Sequence, residues 1–311
     1  MLQYLVILLD DAAISYCHYS KSHAKSQPIP LDVLRKGIRF AMTENLMLQF
    51  VYPEGELPES VRKEVETIDH SKIMPATSPY AAEADVLVCG WDSLPQSANV
   101  PVVLRTTLAD FLARYKDIFP LLSVAPRLNV VFTDTESFAD EEVSVYKESL
   151  SALAGELERL YVNEKSPQLN LLTDRMMLKE MNNCGAGDTN ITLAPNGKFY
   201  VCPAYCGTGE GIGSLELGLS IPNKQLYKLD HAPLCRHCDA YHCKRRVWLS
   251  ERLTLEVNTP SRQQCVMAHL ERNAARELLS NIRKHGIFLP EMPEIKEIDY
   301  LDPFEKRDEW L

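Results

Sequence analysis

Two features are missing from this 311-residue chain: long hydrophobic runs and an excess of basic charge. No apolar stretch reaches the roughly 18–20 residues of a membrane-spanning helix, so we expect no integral membrane protein. The formal net charge of −10 argues against a nucleic-acid partner, because such proteins usually carry a basic face. The short apolar start, MLQYLVILL, has no basic segment before it and no cleavage site after it. We therefore predict a first β-strand and a cytoplasmic protein.

The common catalytic motifs are missing as well. The chain has no Ser/His/Asp set, no Gly-rich phosphate loop and no zincin helix. Its 45% apolar content is ample for a packed core. An enzyme with ordinary hydrolytic or nucleotide chemistry is therefore not indicated by its motifs.

Cysteine is the informative residue type. Seven of the nine cysteines lie between residues 184 and 265. They are Cys184, Cys202, Cys206, Cys235, Cys238, Cys243 and Cys265. Two thiolates separated by two residues can bind one metal centre, because the turn between them aims both sulfurs inward. In a reducing cytoplasm such clustering favours a metal or iron–sulfur centre over disulfides.

The first part of the chain, residues 1–175, alternates short apolar runs with amphipathic segments. The predicted strands are Tyr4–Leu9, Leu46–Val51, Asp85–Cys89, Val100–Leu104 and Leu128–Phe132. The predicted helices are Leu31–Met42, Pro58–Glu66, Thr106–Ile118 and Phe138–Tyr161. This alternation predicts a mainly parallel sheet, either an open α/β layer or an incomplete (β/α) barrel. Ligands of such sheets bind at the carboxyl ends of the strands.

The second part, residues 176–290, is rich in loops and cysteine. Ile191–Leu193 and Lys198–Val201 flank Asn196-Gly197, which predicts a hairpin. This segment has too few apolar residues to form a stable core of its own. We therefore expect a bound metal to stabilise its fold. A helix is predicted over Arg262–His285, and residues 291–311 form a C-terminal extension.

The spacing of the cysteines resembles the SPASM domain of radical S-adenosylmethionine (radical SAM) peptide-modifying enzymes. The matching pattern is Cys184, Gly197-x4-Cys202, Cys235-x2-Cys238-x4-Cys243 and a distal Cys265. The resemblance implies one auxiliary 4Fe–4S cluster on Cys235, Cys238, Cys243 and Cys265, and a second on Cys184 and Cys202. Val247 stands where the family has a further cysteine, and Cys206 is the candidate replacement. His237, His242 and Asp188 are further candidates, but a histidine beside a metal loop more often lies outside the ligand set or is solvated.

Two motifs after the first strands resemble a radical SAM barrel that has lost its catalytic cluster. Tyr16-Cys17 matches the end of the CxxxCxΦC motif, while Asp10 and Ile14 stand at the other two ligand positions. Because one thiolate cannot hold a cubane cluster, we expect no reductive cleavage of S-adenosylmethionine. Gly55-Glu56 matches the segment that contacts the methionine amine of that cofactor, so Glu56 is a candidate cofactor-binding residue. Whether the intact cofactor still binds stays open.

Taken alone, the two remaining cysteines suggest packing. Cys17 is interpreted as a small buried hydrophobic residue, and Cys89, in the predicted strand ADVLVCG, as part of the core. Neither is needed for the implied clusters.

The whole chain resembles a degenerate radical SAM/SPASM protein, most like the CXXX repeat peptide maturases. The resemblance implies a partial (β/α) barrel over 1–175 and a SPASM-like domain over 176–290. It also implies an iron–sulfur-binding maturase or accessory protein for a ribosomally made, cysteine-rich precursor peptide, acting alone or with a partner modification enzyme. Two alternatives stay open: a structural zinc protein with a site of four cysteines, and a barrel enzyme whose chemistry is unrelated to S-adenosylmethionine.

Overall fold

A computed structural model describes residues 2–20, 25–177, 184–206, 209, 211–240 and 246–286. The chain divides into two compact units. The first unit comprises Met1–Pro95, Val100–Arg105 and Gly185–Lys228. The second comprises Gln96–Asn99, Thr106–Cys184 and Leu229–Leu311. Within the described residues, no helix is both long enough and apolar enough to cross a membrane.

The strands are short and follow one another closely in the first half of the chain. The described residues contain β1 (Tyr4–Leu8), β2 (Met47–Val51), β3 (Ser71–Pro75), β4 (Val86–Cys89), β5 (Val102–Thr106), β6 (Arg127–Phe132), β7 (Gln168–Leu169), β8 (Asn190–Leu193), β9 (Lys198–Tyr200), β10 (Gly213–Ser214) and β11 (Gly218–Leu219).

The helices occupy the segments between and after these strands. The described α-helices are α1 (Leu31–Thr43), α2 (Glu59–Val65), α3 (Leu108–Arg114), α4 (Phe119–Leu122), α5 (Val143–Val162), α6 (Thr173–Met177), α7 (Val247–Thr254) and α8 (Arg262–His285).

A parallel sheet forms the first unit. β8, β1, β2, β3, β4 and β5 pair in that order, each parallel to the next. β9, β10 and β11 continue from β8 as antiparallel neighbours. Leu5 to Leu8 of β1 are buried on both faces of the sheet, which explains why β1 is a continuous apolar run and not an alternating one.

Helix α1 lies close against the sheet because residue 37 has no side chain. A Cβ atom on Gly37 would overlap the Leu193 side chain and would lie 3.3 Å from Ile7 Cδ1. The helix backbone therefore occupies space that any larger residue would need. This contact sets the distance between α1 and the paired strands β1 and β8, and so helps to position the loop that follows β1.

The second unit is built around α5 and α8, with the parallel pair β6 and β7 beside them. A buried network ties the two helices together. The Tyr146 hydroxyl donates to Glu271 Oε1 at 2.6 Å, and Arg175 Nη2 lies 3.2 Å from Glu271 Oε2. Arg175 Nη2 also donates to the Ala268 carbonyl at 2.7 Å. A buried carboxylate is stable here because a guanidinium and a hydroxyl satisfy it.

Most of the predicted elements are confirmed with small changes at their ends. α8 spans the predicted range, and the predicted hairpin is the pair β8 and β9, with Gly197 at φ +76° in its turn. The predicted helix from Thr106 begins at Leu108 and becomes a 3₁₀ helix after Arg114. Strand β3, SKIMP, was not predicted, since its run is short and ends in proline.

The mixed α/β class is confirmed by this topology. The domain boundaries at 175 and 290 stay predictions, and the predicted extension over 291–311 lies outside the described residues.

Candidate functional site

A cavity of about 380 Å³ opens at the carboxyl ends of β1 and β2. Its walls come from the loops that follow these strands and from β5. They are Ala12, Ala13, Ile14, Ser15, Ser20, Ser26, Pro53, Glu54, Gly55 and Arg105. A second cavity of about 210 Å³ shares Ile14, Glu54 and Arg105 with the first. Parallel sheets place their ligands at this edge, so this is the candidate small-molecule site of the first unit.

Asp10 anchors the loop after β1 and is fully engaged within the protein. Its side chain is buried, Oδ1 accepts from the backbone N–H groups of Ala12 and Gln27, and Oδ2 accepts from the Ser26 hydroxyl at 2.9 Å. Ile14 presents an apolar side chain to both cavities. The two positions at which the sequence resemblance predicts lost thiolates therefore carry a hydrogen-bonded carboxylate and a hydrocarbon.

Arg105 holds the rest of the same loop. Its Nε donates to the Cys17 carbonyl at 3.1 Å, and its Nη2 donates to the Tyr19 carbonyl at 2.6 Å and to Ser20 Oγ at 2.9 Å. Burial lowers the pKa of Arg105, but a guanidinium keeps its charge in proteins. None of the ion pairs between described residues involves Arg105, and its guanidinium lines the cavity. Glu54 supplies a negative charge on the wall of the same cavity.

We expect Arg105→Ala to lower the free energy of unfolding by about 2 kcal/mol, because hydrogen bonds from a charged donor are lost together. Arg105→Lys should recover part of this loss, since an ammonium can replace some but not all of the guanidinium contacts. Urea denaturation monitored by circular dichroism measures both. The control is Arg35→Ala, which removes an exposed pair with Glu64 and should change stability by less than about 1 kcal/mol. Equal unfolding midpoints for Arg105→Ala and the control would show that the loop does not depend on Arg105.

Three cysteines of the first unit lie near Tyr19. Burial raises the pKa of Tyr19 well above its usual value, and the nearby groups of Tyr16, Cys17, Cys202 and Cys206 raise it further. Cys202 and Cys206 flank a 3₁₀ turn over Pro203–Tyr205, directly after the β8–β9 hairpin. The structure thus brings the predicted ligands Cys202 and Cys206 towards Cys17, which the sequence assigned to packing.

The CxxC segment of the second unit forms a tight turn. Cys235–His237 is a 3₁₀ helix, and the Cys238 backbone N–H donates to the Cys235 carbonyl at 3.2 Å. Cys235 is buried and packs with Ala232, Ala240 and Ala268, while Cys238 is half-buried against the same group. The Ala240 backbone N–H lies 3.4 Å from Cys238 Sγ and donates to it. A backbone donor aimed at sulfur suits a thiolate ligand.

Helix α8 forms the opposite wall of this cluster. It begins after Ser261, whose side chain accepts from Gln264 N while Gln264 Oε1 accepts from Ser261 N. This capping box fixes the first turn, which carries the half-buried Cys265. Further along α8, Ala268 packs against Cys235, and His269 Nε2 lies 3.8 Å from Cys238 Sγ.

Asp239 locks the CxxC turn onto α8. Its side chain has no exposed surface, and its two oxygens accept from Arg272 Nη1 at 2.7 Å and Arg276 Nη2 at 2.5 Å. These two arginines lie four residues apart on one face of the helix. Both carboxylate oxygens of Asp239 are therefore bonded to α8. These contacts fix the position of the neighbouring Cys238 sulfur along the helix.

The predicted metal ligands can now be located. Cys235, Cys238 and Cys265 belong to the second unit, and Cys202 and Cys206 to the first. Cys184 is half-buried, and Cys243 and His242 lie outside the described residues. None of the eight cysteines that the structure describes is part of a disulfide. Among those residues, no three His, Cys, Asp or Glu side chains form a ready-made metal site. The two ligand sets stay predictions.

Other candidates differ in exposure. His237 is exposed and Asp188 half-buried. Glu56 is also exposed, and the acidic residue that lines the cavity is Glu54, two positions earlier. Cys89 is buried, as expected, and burial raises its pKa to about 12.

Sequence reasoning missed Arg105, Asp239 and His269. For His269 a signal was present, since it follows Cys265 by four residues on a helix.

Comparison with solved structures supports the fold. An anaerobic sulfatase-maturating enzyme of the radical SAM/SPASM type, anSMEcpe, with bound AdoMet and Cp18Cys peptide, matches 91% of this chain and 100% of its own. The TM-score is 0.58 and the sequence identity 12%. The same enzyme with AdoMet and the Kp18Cys peptide covers 90% of this chain and 99% of its own, at a TM-score of 0.54 and 12% identity. At such identities the likeness shows a shared α/β fold.

Sequence comparison adds no closer relative. No protein-family profile matches the chain, and no curated protein matches it. The fold is therefore established by structure, and the function has to be argued from the residues.

Proposed function

We propose that this protein is an iron–sulfur-binding maturase or accessory protein for a ribosomally made, cysteine-rich peptide, and that it does not cleave S-adenosylmethionine. One observation carries the proposal. The fold shared with the matched enzyme spans 91% of the chain, while the sequence resemblance places Asp10 and Ile14 where radical SAM enzymes have two thiolates. A retained architecture without its catalytic ligands is the expected result when the binding function is kept and the radical chemistry is not.

The strand-end site does not fit a catalytic cluster. Asp10 has both oxygens engaged by three donors, so using it as a ligand would leave those donors unsatisfied. Ile14 has no donor atom, and a cubane cluster needs more than the one thiolate of Cys17. The predicted lack of a catalytic cluster thus has a physical reason, because the Asp10 carboxylate stabilises the loop after β1.

The same cavity does fit an amino-acid group. Arg105 offers a positive charge and Glu54 a negative one, which suits the carboxylate and amine of a zwitterion. At about 380 Å³ the cavity lies within the range of small-molecule sites. We propose that it binds intact S-adenosylmethionine through its methionine moiety, with Glu54 in the role that the resemblance implied for Glu56.

The cysteine-rich segment fits an iron–sulfur centre by its donor chemistry. Cys235 and Cys238 pack around Ala268, and Cys265 lies about one helical turn before Ala268 on α8. We propose that they form a SPASM-like centre with Cys243, and that Cys184, Cys202 and Cys206 supply a second. A 4Fe–4S cluster held by these cysteines would supply electron transfer, and one with an open iron would bind a substrate thiolate.

The peptide substrate follows from this chemistry. The matched enzyme structures contain AdoMet and a peptide, as their names state for those proteins. We propose a precursor peptide as the partner here too, with a separate modification enzyme supplying the radical step. A structural zinc site is the second candidate, favoured by the imidazole of His269 beside Cys238, since thiolate and imidazole together are common zinc ligands.

The test is an anaerobic preparation analysed for iron, acid-labile sulfide and zinc, followed by incubation with dithionite and S-adenosylmethionine. We expect iron and sulfide in equal amounts, binding of S-adenosylmethionine in equilibrium dialysis, and no 5′-deoxyadenosine by chromatography. Zinc without sulfide would replace the proposal with the second candidate. Turnover to 5′-deoxyadenosine would show that the barrel is catalytically active.

A further inference from the structure

His269 lies on the wall of the proposed thiolate centre, and neither the motif nor the matched fold assigns it a role. Its side chain is buried, with 2% of its surface exposed, and Nε2 lies 3.8 Å from Cys238 Sγ. It follows Cys265 by one helical turn on α8, so both residues occupy the same face of the helix. A buried ring nitrogen beside a sulfur invites a hydrogen bond between them.

The neighbours of His269 fix its position. Ala268 packs into the cluster that contains Cys235, and its carbonyl accepts from Arg175. On the other side, Glu271 joins Arg175 and Tyr146, and Arg272 joins Asp239. The helix is thus held by buried ionic contacts directly after the histidine. The approach of Nε2 to sulfur is imposed by the fold, because little freedom is left to this part of α8.

The sulfur of Cys238 also has a backbone donor. The Ala240 N–H reaches it at 3.4 Å, so two nitrogens lie close to one sulfur. A neutral thiol gains little from two hydrogen-bond donors. A metal-bound thiolate carries negative charge and accepts both hydrogen bonds readily. Hydrogen bonds to the sulfurs are among the factors that set the reduction potential of an iron–sulfur cluster.

We propose that His269, carrying its proton on Nε2, is a positioning residue that donates a hydrogen bond to the Cys238 thiolate and stabilises the reduced state of the cluster bound there. The inference rests on the proposed function, because it needs a metal centre on Cys235 and Cys238. Donation draws negative charge from the sulfur, so the added electron of the reduced cluster is better accommodated. His269 is then a determinant of the potential and not a ligand.

The experiment compares three variants with the wild-type protein after anaerobic reconstitution. His269→Leu removes the donor and keeps most of the volume, whereas His269→Gln keeps an N–H donor. His237→Ala is the matched control, because His237 lies inside the CxxC turn but is exposed. Iron and sulfide content are measured first, and the midpoint potential follows from an anaerobic optical titration.

We expect unchanged iron in all three variants and a more negative potential in His269→Leu. The ratio of reduced to oxidised cluster at a fixed potential should fall about tenfold, which is about 59 mV for a one-electron couple. His269→Gln should recover part of this shift, and His237→Ala should equal the wild type. A wild-type potential in His269→Leu would overturn the proposal.

Two further outcomes separate this inference from the proposed function. Loss of iron in His269→Leu and His269→Gln, with iron retained in Cys243→Ser, would make His269 a ligand and overturn its role as a donor. Zinc in place of iron in the wild type would reject the proposed function and the effect on the reduction potential, and would leave only the hydrogen bond to the Cys238 thiolate to be tested. In that case the hydrogen bond from His269 to Cys238 is tested by the energy of the sulfur-to-cobalt charge-transfer band in the cobalt-substituted protein. A shift in His269→Leu but not in His237→Ala supports it, and identical bands overturn it.

Discussion

Asp239→Asn should lower the free energy of unfolding by about 3–5 kcal/mol, the loss expected when one partner of a buried ion pair is removed. Asp239 is fully buried and accepts from Arg272 at 2.7 Å and Arg276 at 2.5 Å. An amide carries no charge and only one acceptor oxygen, so two guanidinium groups would share it, one of them almost fully buried. Urea denaturation of the metal-free protein, followed by circular dichroism, measures the loss.

The matched control for this prediction uses the same helix. Asp140 pairs with Arg262 of α8 at 2.9 Å, but both side chains are mostly exposed. Asp140→Asn should therefore cost less than about 1 kcal/mol. If the two variants unfold at the same urea concentration, the burial of Asp239 does not contribute to stability. Asp239 would then lie beside Cys238 only because of the geometry of the turn, and it would not hold the turn against α8.

The parts of the fold that follow from local chemistry could be predicted from the sequence. Buried parallel strands are continuous apolar runs, as in β1, and the turn of the β8–β9 hairpin needs a glycine that tolerates positive φ, as Gly197 does. The start of α8 is set by Ser261 and Gln264, three residues apart, which is the pattern of a capping box. Each of these signals lies within a few residues of the structure it specifies.

The contacts that shape the candidate sites lie far apart in the chain. Arg105 binds the carbonyl of a residue 88 positions earlier, and His269 approaches a sulfur 31 positions earlier. Nothing in the local pattern around Arg105 says which loop it will hold. A single sequence can show that a cysteine is present, but only the packing of α8 against the CxxC turn shows which imidazole it meets.

The motif at the end of β2 illustrates the limit of short matches. Gly55-Glu56 fitted the expected cofactor segment, yet the cavity wall is formed by Pro53, Glu54 and Gly55. Two carboxylates two residues apart cannot be told apart by a four-residue motif in which half of the positions differ. Both are exposed, and only the folded loop shows that Glu54 is the one that lines the cavity.

The double variant Cys235→Ser, Cys238→Ser should lose about four iron atoms per chain, which is one whole cluster. Both sulfurs sit in one turn against Ala268, so their removal leaves at most two thiolates from the predicted set. A second cluster on Cys184, Cys202 and Cys206 should survive, because its cysteines are separate from this turn. Iron and sulfide analysis after identical anaerobic reconstitution gives the difference from the wild type.

Cys89→Ser is the control, since Cys89 is also buried but is held as a thiol. Its Sγ donates to the Val103 carbonyl at 3.6 Å, and burial raises its pKa to about 12. Almost none of it is thiolate near neutral pH, and the thiolate is the form that binds metal. Its replacement should leave the iron content unchanged. Equal iron in the double variant and in Cys89→Ser would remove the CxxC turn from the set of ligands, and with it the physical basis for an iron–sulfur centre in the second unit.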